Sequence, residues 1–353
     1  MADERELNVA LLKRLCELPG IAGREDAVRA VVRAELEGLV DELSVDALGN
    51  VIGVRRGRGG PRVMIAAHMD EIGFLVRHID DNGFLRIHPV GGFDPSRLPA
   101  QRVSVHGYSG RTVRGVISVA GKPIHLLAPN EVKPPTVDDL FVDLGLAGDE
   151  VRANVEVGDM VTLERTLEWA GNHIISKALD DRVGIYIMLE TLRALGGDLA
   201  AEVVAVATVQ EEVGTRGAAT AAFNIAPDIG IALDITPAGD FPGAPPEFVG
   251  VRLGGGVGLK IMDMSSVADH ALNRRLRQVA DAHDIPYQLE VLGRGGTDAG
   301  AIQRALAGAP VTALSIPVRY AHTVNEMCAV GDVQAAVDLL TRYLGRVHEE
   351  HAA

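Results

Sequence analysis

Apolar residues recur at helical spacing in ERELNVALLKRLCELPG and again in GREDAVRAVVRAELEGLV, so two amphipathic helices are predicted to open the chain, the first stopping at Pro19-Gly20. DELSVDALGNVIGVRRG reads as two short strands about a Gly49-Asn50 turn, and PRVMIAAHMD as a buried strand whose apolar run ends in polar residues. From about Glu71 the period changes. GFLVRHIDDNGFLRIHPVGG alternates on either side of Asn82-Gly83, a pair expected to supply the positive φ angles of a tight hairpin turn. QRVSVHGYSGRTVRGVISVAG and VEVGDMVTLER continue in short, glycine-punctuated strands, and no long amphipathic helix is predicted before about residue 166. The expectation is a β-rich module at 72–165, inserted between a first part at 1–71 and a second at 166–353.

In that second part helix and strand alternate. SKALDDRVGIYIMLETLRAL, ADHALNRRLRQVADAHD, TDAGAIQRALAG and a last helix from about Asp332 to Glu350 read as helices; AEVVAVATVQ, APDIGIALDIT, IPYQLEVLG and PVTALSIPV read as strands. Continuous apolar strands between helices predict an α/β fold, a mostly parallel central sheet covered on both faces. A ligand site is then expected beyond the carboxyl ends of its strands.

Composition narrows the function. Hydrophobic residues at 47% of 353 allow a substantial core, but aromatics at 4% leave little material for stacking bases or sugars, and a net charge of −14 opposes a phosphate backbone. No nucleic-acid partner is expected. No charge-free apolar stretch reaches about 18 residues, the N-terminus lacks a basic, then apolar leader pattern, and the two cysteines, Cys16 and Cys328, fit neither a disulfide framework nor a thiolate zinc site. The expectation is a soluble cytoplasmic protein with no membrane partner.

The candidate chemistry lies where apolar runs end. One strand ends in His68 and Asp70, the next in Glu211 and Glu212, a third in Asp234, and a fourth leads to His322; Asp180 and Asp181 start the helix after the insert. Any one of these has an ordinary explanation as a cap or a solvated loop residue. Gathered at one edge of one sheet, so many carboxylates need counter-charge, and a divalent cation is the densest available. Histidine with Asp and Glu but no cysteine suits zinc, cobalt or manganese in a hydrolytic site better than calcium. Five candidate ligands and a spare carboxylate suggest two ions roughly 3.5–4 Å apart with one bridging carboxylate. Asp70 can accept the second imidazole N–H of His68. Adjacent residues at a strand end diverge, so one of Glu211 and Glu212 can bind metal while the other takes a proton from water.

In order along the chain, H-x-D (His68 to Asp70), K-x-x-D-D-R (Lys177 to Arg182), Q-E-E-V-G-x-R-G (Gln210 to Gly217), A-L-D (Ala232 to Asp234) and R-Y-x-H-T (Arg319 to Thr323) resemble the dinuclear metallo-aminopeptidases that assemble as tetrahedral, TET-type particles. That family includes glutamyl, leucyl and lysyl aminopeptidases, and some members carry the label endoglucanase. The resemblance implies that His68, Asp180 and Asp234 hold one metal and Asp180, Glu212 and His322 the other, with Glu211 as general base and Asp70 supporting His68. It also implies an α/β catalytic domain interrupted by a β-barrel-like dimerisation domain, dimers building a twelve-subunit homo-oligomer, and short peptides with a free N-terminus as substrates.

Two glycine-rich stretches stand outside these blocks. LGGGVGLKIMD (253–263) falls where the resemblance implies a Gly-Pro-containing substrate loop, but holds no proline; Lys260 is read as a surface lysine, the alternative being a cation that reaches an acidic side chain in the specificity pocket; GRGGTDAG (293–300) lacks a phosphate-loop ending and is expected to shape the pocket. His78, His88, His106 and His125 are expected to be ordinary surface or core residues. The competing functions are a related dinuclear amidase (carboxypeptidase or N-acyl-amino-acid deacylase), a metal-independent glycosidase using Glu211 and Glu212, and a non-catalytic metal-binding scaffold.

Overall fold

The computed structural model describes residues 7–122, 124–126, 128, 133–245 and 250–347. The first residues of the predicted opening helix and the last of the closing one lie outside them. Helices α1 (Val9–Glu17) and α2 (Asp26–Leu36) form where the periodicity places them, the first capped by Asn8, whose Oδ1 accepts the Leu11 N–H at 3.2 Å. They precede the hairpin β1 (Glu42–Val45) and β2 (Val51–Arg55) and the buried strand β3 (Arg62–His68). Past the barrel described below come β10 (Glu168–Ala170), β11 (His173–Ser176), α4 (Leu179–Ala194), β12 (Glu202–Thr208), α5 (Arg216–Ile225), β13 (Ile229–Pro237) and β14 (Val257–Met262). The chain closes with α6 (His270–Ala282), β15 (Tyr287–Val291), α7 (Asp298–Gln303), β16 (Val311–Arg319), β17 (Glu326–Ala329) and α8 (Val330–Arg346).

Among the described residues eleven strands form one sheet in the order β1-β2-β12-β3-β13-β16-β17-β11-β10, with β14 and β15 attached beside β16. Its centre, β12-β3-β13-β16, is parallel. Alternation along β3 explains the layering. Val63, Ile65 and Ala67 enter the core under α1, α2, α4, α6 and α8, while Met64 and Ala66 face α5 and α7 on the opposite side. A buried aliphatic side chain of this kind contributes about 1.5–3 kcal/mol. The fold is therefore the expected α/β sandwich with a mostly parallel sheet.

Between β3 and β10 the chain closes a six-stranded barrel, β4 (Gly73–Ile79), β5 (Leu85–Val90), β6 (Arg102–His106), β7 (Thr112–Val119), β8 (Leu140–Asp143) and β9 (Met160–Leu163), with its own aliphatic core and the short helix α3 (Gly148–Arg152). Glu71, two residues before its first strand, is buried against the α/β layer. Its carboxylate accepts from Lys177 Nζ at 2.6 Å and from the Gly20 N–H at 3.1 Å, with the Arg182 guanidinium 3.9 Å away. Arg182 in turn donates to the carbonyls of Leu15, Leu18 and Gly20, so one ionic cluster ties the entry to the barrel to α4 and to the chain after α1.

Three expectations are corrected. In the β4–β5 hairpin only Gly83 takes positive φ (95°); the loop runs from Asp80 to Phe84 because Asp80 Oδ1 accepts the N–H groups of Asn82 and Phe84, an Asx turn that replaces the tight two-residue turn. Residues 253–263 are not simply a loop, since Val257–Met262 is β14, hydrogen-bonded on both sides to β15 and β16. Lys260 is accordingly no surface residue. It is 1% exposed, opposite Glu290 in register, with Nζ 2.7 Å from the Glu290 carboxylate and 3.3 Å from Thr236 Oγ1. Burial of an ammonium requires such a partner.

Removing one partner of a buried ion pair strands the other charge. Glu71→Ala is therefore expected to destabilise the protein by about 3–5 kcal/mol, read as a lowered denaturant midpoint, with Glu71→Gln losing less; an unchanged midpoint in both would contradict the clamp.

Candidate metal centre

Four neighbouring parallel strands aim their carboxyl ends at one place. His68 is the last residue of β3, opposite Thr208 of β12; Asp234 lies in β13 opposite Ser315 of β16; Glu211 and Glu212 follow β12 and His322 follows β16. Asp180 and Asp181, joined by a cis peptide bond, have non-helical dihedrals ahead of the regular turns of α4. Of the nine non-glycine residues with positive φ among those described, five stand beside this edge: Ala178, Gln210, Thr215, Tyr320 and His322. Such conformations cost on the order of 1–3 kcal/mol each and persist where surrounding structure over-determines them.

Two donor sets result. One donor atom each from His68, Asp180 and Asp234 lie within 4.8 Å of one another, as do one each from Asp180, Glu212 and His322, so Asp180 belongs to both. Its Oδ1 is 3.0 Å from His68 Nε2 and its Oδ2 3.2 Å from His322 Nε2. Each imidazole has its other nitrogen on a main-chain carbonyl: His68 Nδ1 faces Asp70 O at 3.0 Å, and His322 Nδ1 faces Gly92 O at 2.8 Å. A carbonyl only accepts, so both Nδ1 atoms carry hydrogen and both Nε2 lone pairs turn toward carboxylate oxygen. Acceptor facing acceptor at that distance is tenable only with a positive charge between them, a proton or a cation. The donor set of imidazole and carboxylate without thiolate fits a divalent transition ion.

Asp70 does more than sequence reasoning assigned. Its carboxylate is 3.5 Å from His68 Nδ1, farther than its own carbonyl, and accepts the N–H groups of Glu211 at 3.0 Å and Glu212 at 3.1 Å. It therefore pins the backbone from which the two adjacent glutamates diverge. Glu212 reaches to 3.7 Å from His322 Nε2, whereas the Glu211 carboxylate, 3.9 Å from His68 Nε2, accepts no hydrogen bond from the described residues.

Two carboxylates went unassigned in the sequence. Glu326 is buried at the start of β17 and accepts the N–H of His322 at 2.8 Å and of Asp180 at 3.1 Å, locking the two main chains together; its sequence signal is only its place four residues past His322. Asp181 accepts the His68 N–H at 3.1 Å from beneath. The glycine-rich segment does line the cleft, a cavity of about 990 Å³ bounded by Gly295 and Gly296, by Ile235 and Phe241, and by Gly92 and Phe93 of the barrel side. His78, His88 and His125 lie exposed in or beside the barrel, and His106 bonds Thr162, away from this cleft.

Burial dominates the electrostatics. It pushes Glu212 up to about 8, helped by the Asp180 charge, and Glu326 likewise to about 8; Glu211, Asp181 and Asp234 are raised well above the carboxylate range for the same first reason. Burial alone would lower both histidines, yet the hydrogen bond to Asp180 and the surrounding carboxylates lift His322 to about 10 and His68 well above its ordinary value. Asp180 is the exception: against burial, the two imidazoles hold it below the usual carboxylate range.

The chain is a mixed α/β protein, interrupted by a closed barrel, with a candidate metal centre in the acid-and-histidine nest at the carboxyl edge of its sheet. It belongs to the M42 glutamyl aminopeptidase family, which it matches over residues 49–339. A putative aminopeptidase of Acetivibrio thermocellus is 38% identical over 338 residues, 96% of this chain and 98% of its own. The solved aminopeptidase APDkam598 of the archaeon Desulfurococcus kamchatkensis superposes with a TM-score of 0.92 at 39% identity, covering 97% of this chain and 95% of that one. The Pyrococcus horikoshii TET1 peptidase, which can assemble into a tetrahedron or a large octahedral shell, superposes with a TM-score of 0.86 at 31% identity over 95% and 98% of the two chains. The chain is thus a hydrolase of the aminopeptidase type. Among the described residues no helix is long and apolar enough to cross a membrane.

The raised groups set the pH behaviour of the metal-free protein. A folded pKa above the unfolded one means the native state binds the proton more tightly, so its contribution to stability is complete below the unfolded value and is lost as pH rises through the folded value. For Glu212 and Glu326 that window runs from 4.5 to about 8, and for His322 from 6.5 to about 10. Asp180 acts oppositely, but only below its ordinary 3.8. In chelator the thermal midpoint is expected to fall as pH is raised from about 5 to about 8, and saturating divalent cation is expected to abolish the decline by replacing the protons. A midpoint that climbs over this interval without metal would contradict the assignment.

Proposed function

We propose that this chain is a dinuclear metal-dependent aminopeptidase that hydrolyses the N-terminal peptide bond of short peptides, with Glu211 as general base. His68, Asp180 and Asp234 would hold one ion and Asp180, Glu212 and His322 the other. The observation that carries the reading is the carboxylate of Asp180, one oxygen on each imidazole, shared by two compact donor sets. Zinc suits the ligands best, with cobalt or manganese as alternatives. When bound, such a pair polarises the scissile carbonyl and makes water a stronger acid.

The remaining work falls to the chain itself. Glu211 stands at the cleft with its carboxylate unengaged, and burial makes it a better proton acceptor than a solvated glutamate. It takes a proton from the attacking water as the new C–O bond forms, then delivers that proton to the departing nitrogen as the C–N bond breaks. Asp70 keeps Glu211 and Glu212 on separate tasks through their two backbone N–H groups. The excess of carboxylate over imidazole favours an ammonium, and so the free amino end of a peptide, at the same place.

We assign residues 72–165 as an inserted dimerisation domain between catalytic segments 1–71 and 166–353. By analogy with the shells of the P. horikoshii relative, dimers would assemble into a homo-oligomeric tetrahedral particle. We infer a cytoplasmic location, which the two free, buried cysteines support.

Glu211→Gln is expected to retain both ions per chain while turnover of aminoacyl-p-nitroanilides drops by about 10²–10⁴-fold, whereas Asp180→Ala is expected to lose both ions. Acetylating the substrate amine should abolish cleavage, and chelation should too. Cleavage of blocked peptides would instead favour the deacylase or carboxypeptidase reading, and full turnover in Glu211→Gln would place the base elsewhere.

A further inference from the structure

We propose that the barrel supplies a structural part of one of the two donor sets: the main-chain carbonyl of Gly92 is the positioning group for His322, so the ion held by Asp180, Glu212 and His322 depends on the barrel while the other does not. The inference rests on the two-ion reading above.

The two histidines are held by different parts of the chain. His68 is built into β3, 2% exposed, with its N–H on Asp181 and its Nδ1 on the neighbouring Asp70 carbonyl. Its partners Asp180 and Asp234 belong to α4 and β13, so that set draws on the α/β layer alone. His322 stands on the loop after β16, at φ 59°, with 38% of its side chain exposed. Its Nδ1–H reaches across to Gly92 O at 2.8 Å, two residues past the end of β5. That contact fixes both the tautomer and the ring plane, leaving Nε2 free to bind a cation.

The glycines at this point are required by the same contact. A Cβ on Gly92 would lie 3.2 Å from His322 Nδ1 and 3.5 Å from its Cε1. A Cβ on Gly91, whose φ is 88°, would lie 3.0 Å from Glu212 Oε2 and 2.6 Å from Ile72 Cγ2. Both glycines therefore press against ligands of the second set. The next residue fastens the segment to the barrel, because Phe93 stacks on Phe74 of β4 with ring centroids 4.4 Å apart. A shift of the barrel against the sheet is transmitted to His322 through this short, side-chain-free bridge.

The test is a calorimetric titration of the metal-free full-length protein with Zn²⁺ alone, with metals per chain counted after dialysis at buffered free Zn²⁺. Wild type is expected to bind two ions and His322→Gln one. Gly92→Ala is expected to bind the first ion as wild type does and the second about 10–100-fold more weakly. Should Gly92→Ala fail to fold, Phe93→Leu, which keeps both glycines but loosens the stack, is expected to weaken the same single step. Unchanged affinities in the folded variant, or equal weakening of both steps as general damage would give, overturn the inference. Fewer than two ions in wild type would overturn the two-ion reading itself, and this inference with it.

Discussion

The constraint from which the rest follows is the burial of like charge at the carboxyl edge of the sheet. Asp70, Asp180, Asp181, Asp234 and Glu326 are all buried, with Glu211 and Glu212 beside them, and the basic groups within their reach are two imidazoles. Two unit charges about 4 Å apart interact by roughly 4 kcal/mol even at an effective dielectric of 20, so an arrangement with this many carboxylates is unstable unless protons or cations occupy it. Orienting both Nε2 lone pairs at one aspartate tightens the requirement, because it removes the arrangement in which neutral histidines simply donate to Asp180. Ordinary core packing does not generate such a pattern. The four adjacent parallel strands, the cluster of positive-φ residues and the carboxylate of Glu326 spanning two main chains all serve to hold it.

A nest of this kind needs a rigid frame on every side, and the sheet furnishes only part of one. The barrel faces the cleft with Gly92 and Phe93, and two of the contacts that hold it there differ in character. The cluster of Glu71, Lys177 and Arg182 is buried and ionic, directional enough to fix where the first connection enters. The Gly91-Gly92 contact is a main-chain approach, close enough that a methyl group would intrude. Together they make the relative position of barrel and sheet a determinant of His322 geometry, and hence of the more exposed of the two donor sets.

The strand-end residues were legible because the sequence states them twice, once as the end of an apolar run and again as a residue type unsuited to that place unless it has a task. His68, Glu212, Asp234 and His322 carry that double signal, Asp180 is marked instead by its place at a helix start, and the structure brings the donor atoms of all five together in two sets. Other parts were silent for physical reasons. Helix α5, RGAATAAFNI, buries Gly217, Ala218, Ala221 and Ala222 and only at its end the larger Ile225, so its inward face is mostly small residues with weak periodic contrast. Strands β10, β11 and β17 are three or four residues long, shorter than an alternating pattern needs to register. Glu326 and Asp181 act by accepting backbone N–H groups, and Gly92 acts through its carbonyl; no pattern of side-chain types encodes a partner contributed by the main chain of a segment 230 residues away.

Lys260 carries the same lesson into the wall of the cleft. In the sequence it is a lone cation among glycines, and a lone cation beside a peptide-binding cleft would recruit an acidic side chain. In the fold its neighbour across β14 and β15 is Glu290, and Thr236 closes the group from β13. The ammonium is desolvated, and desolvation is tolerable only because the carboxylate at 2.7 Å cancels it. An acidic substrate side chain arriving there would meet a charge already neutralised and would have to compete with a partner that pays no translational entropy to stay bound. The exposed guanidinium of Arg294, on the glycine-rich segment that lines the same cleft, is by contrast open to solvent. At this wall the guanidinium of Arg294 is exposed, while the lysine set into the sheet is already paired.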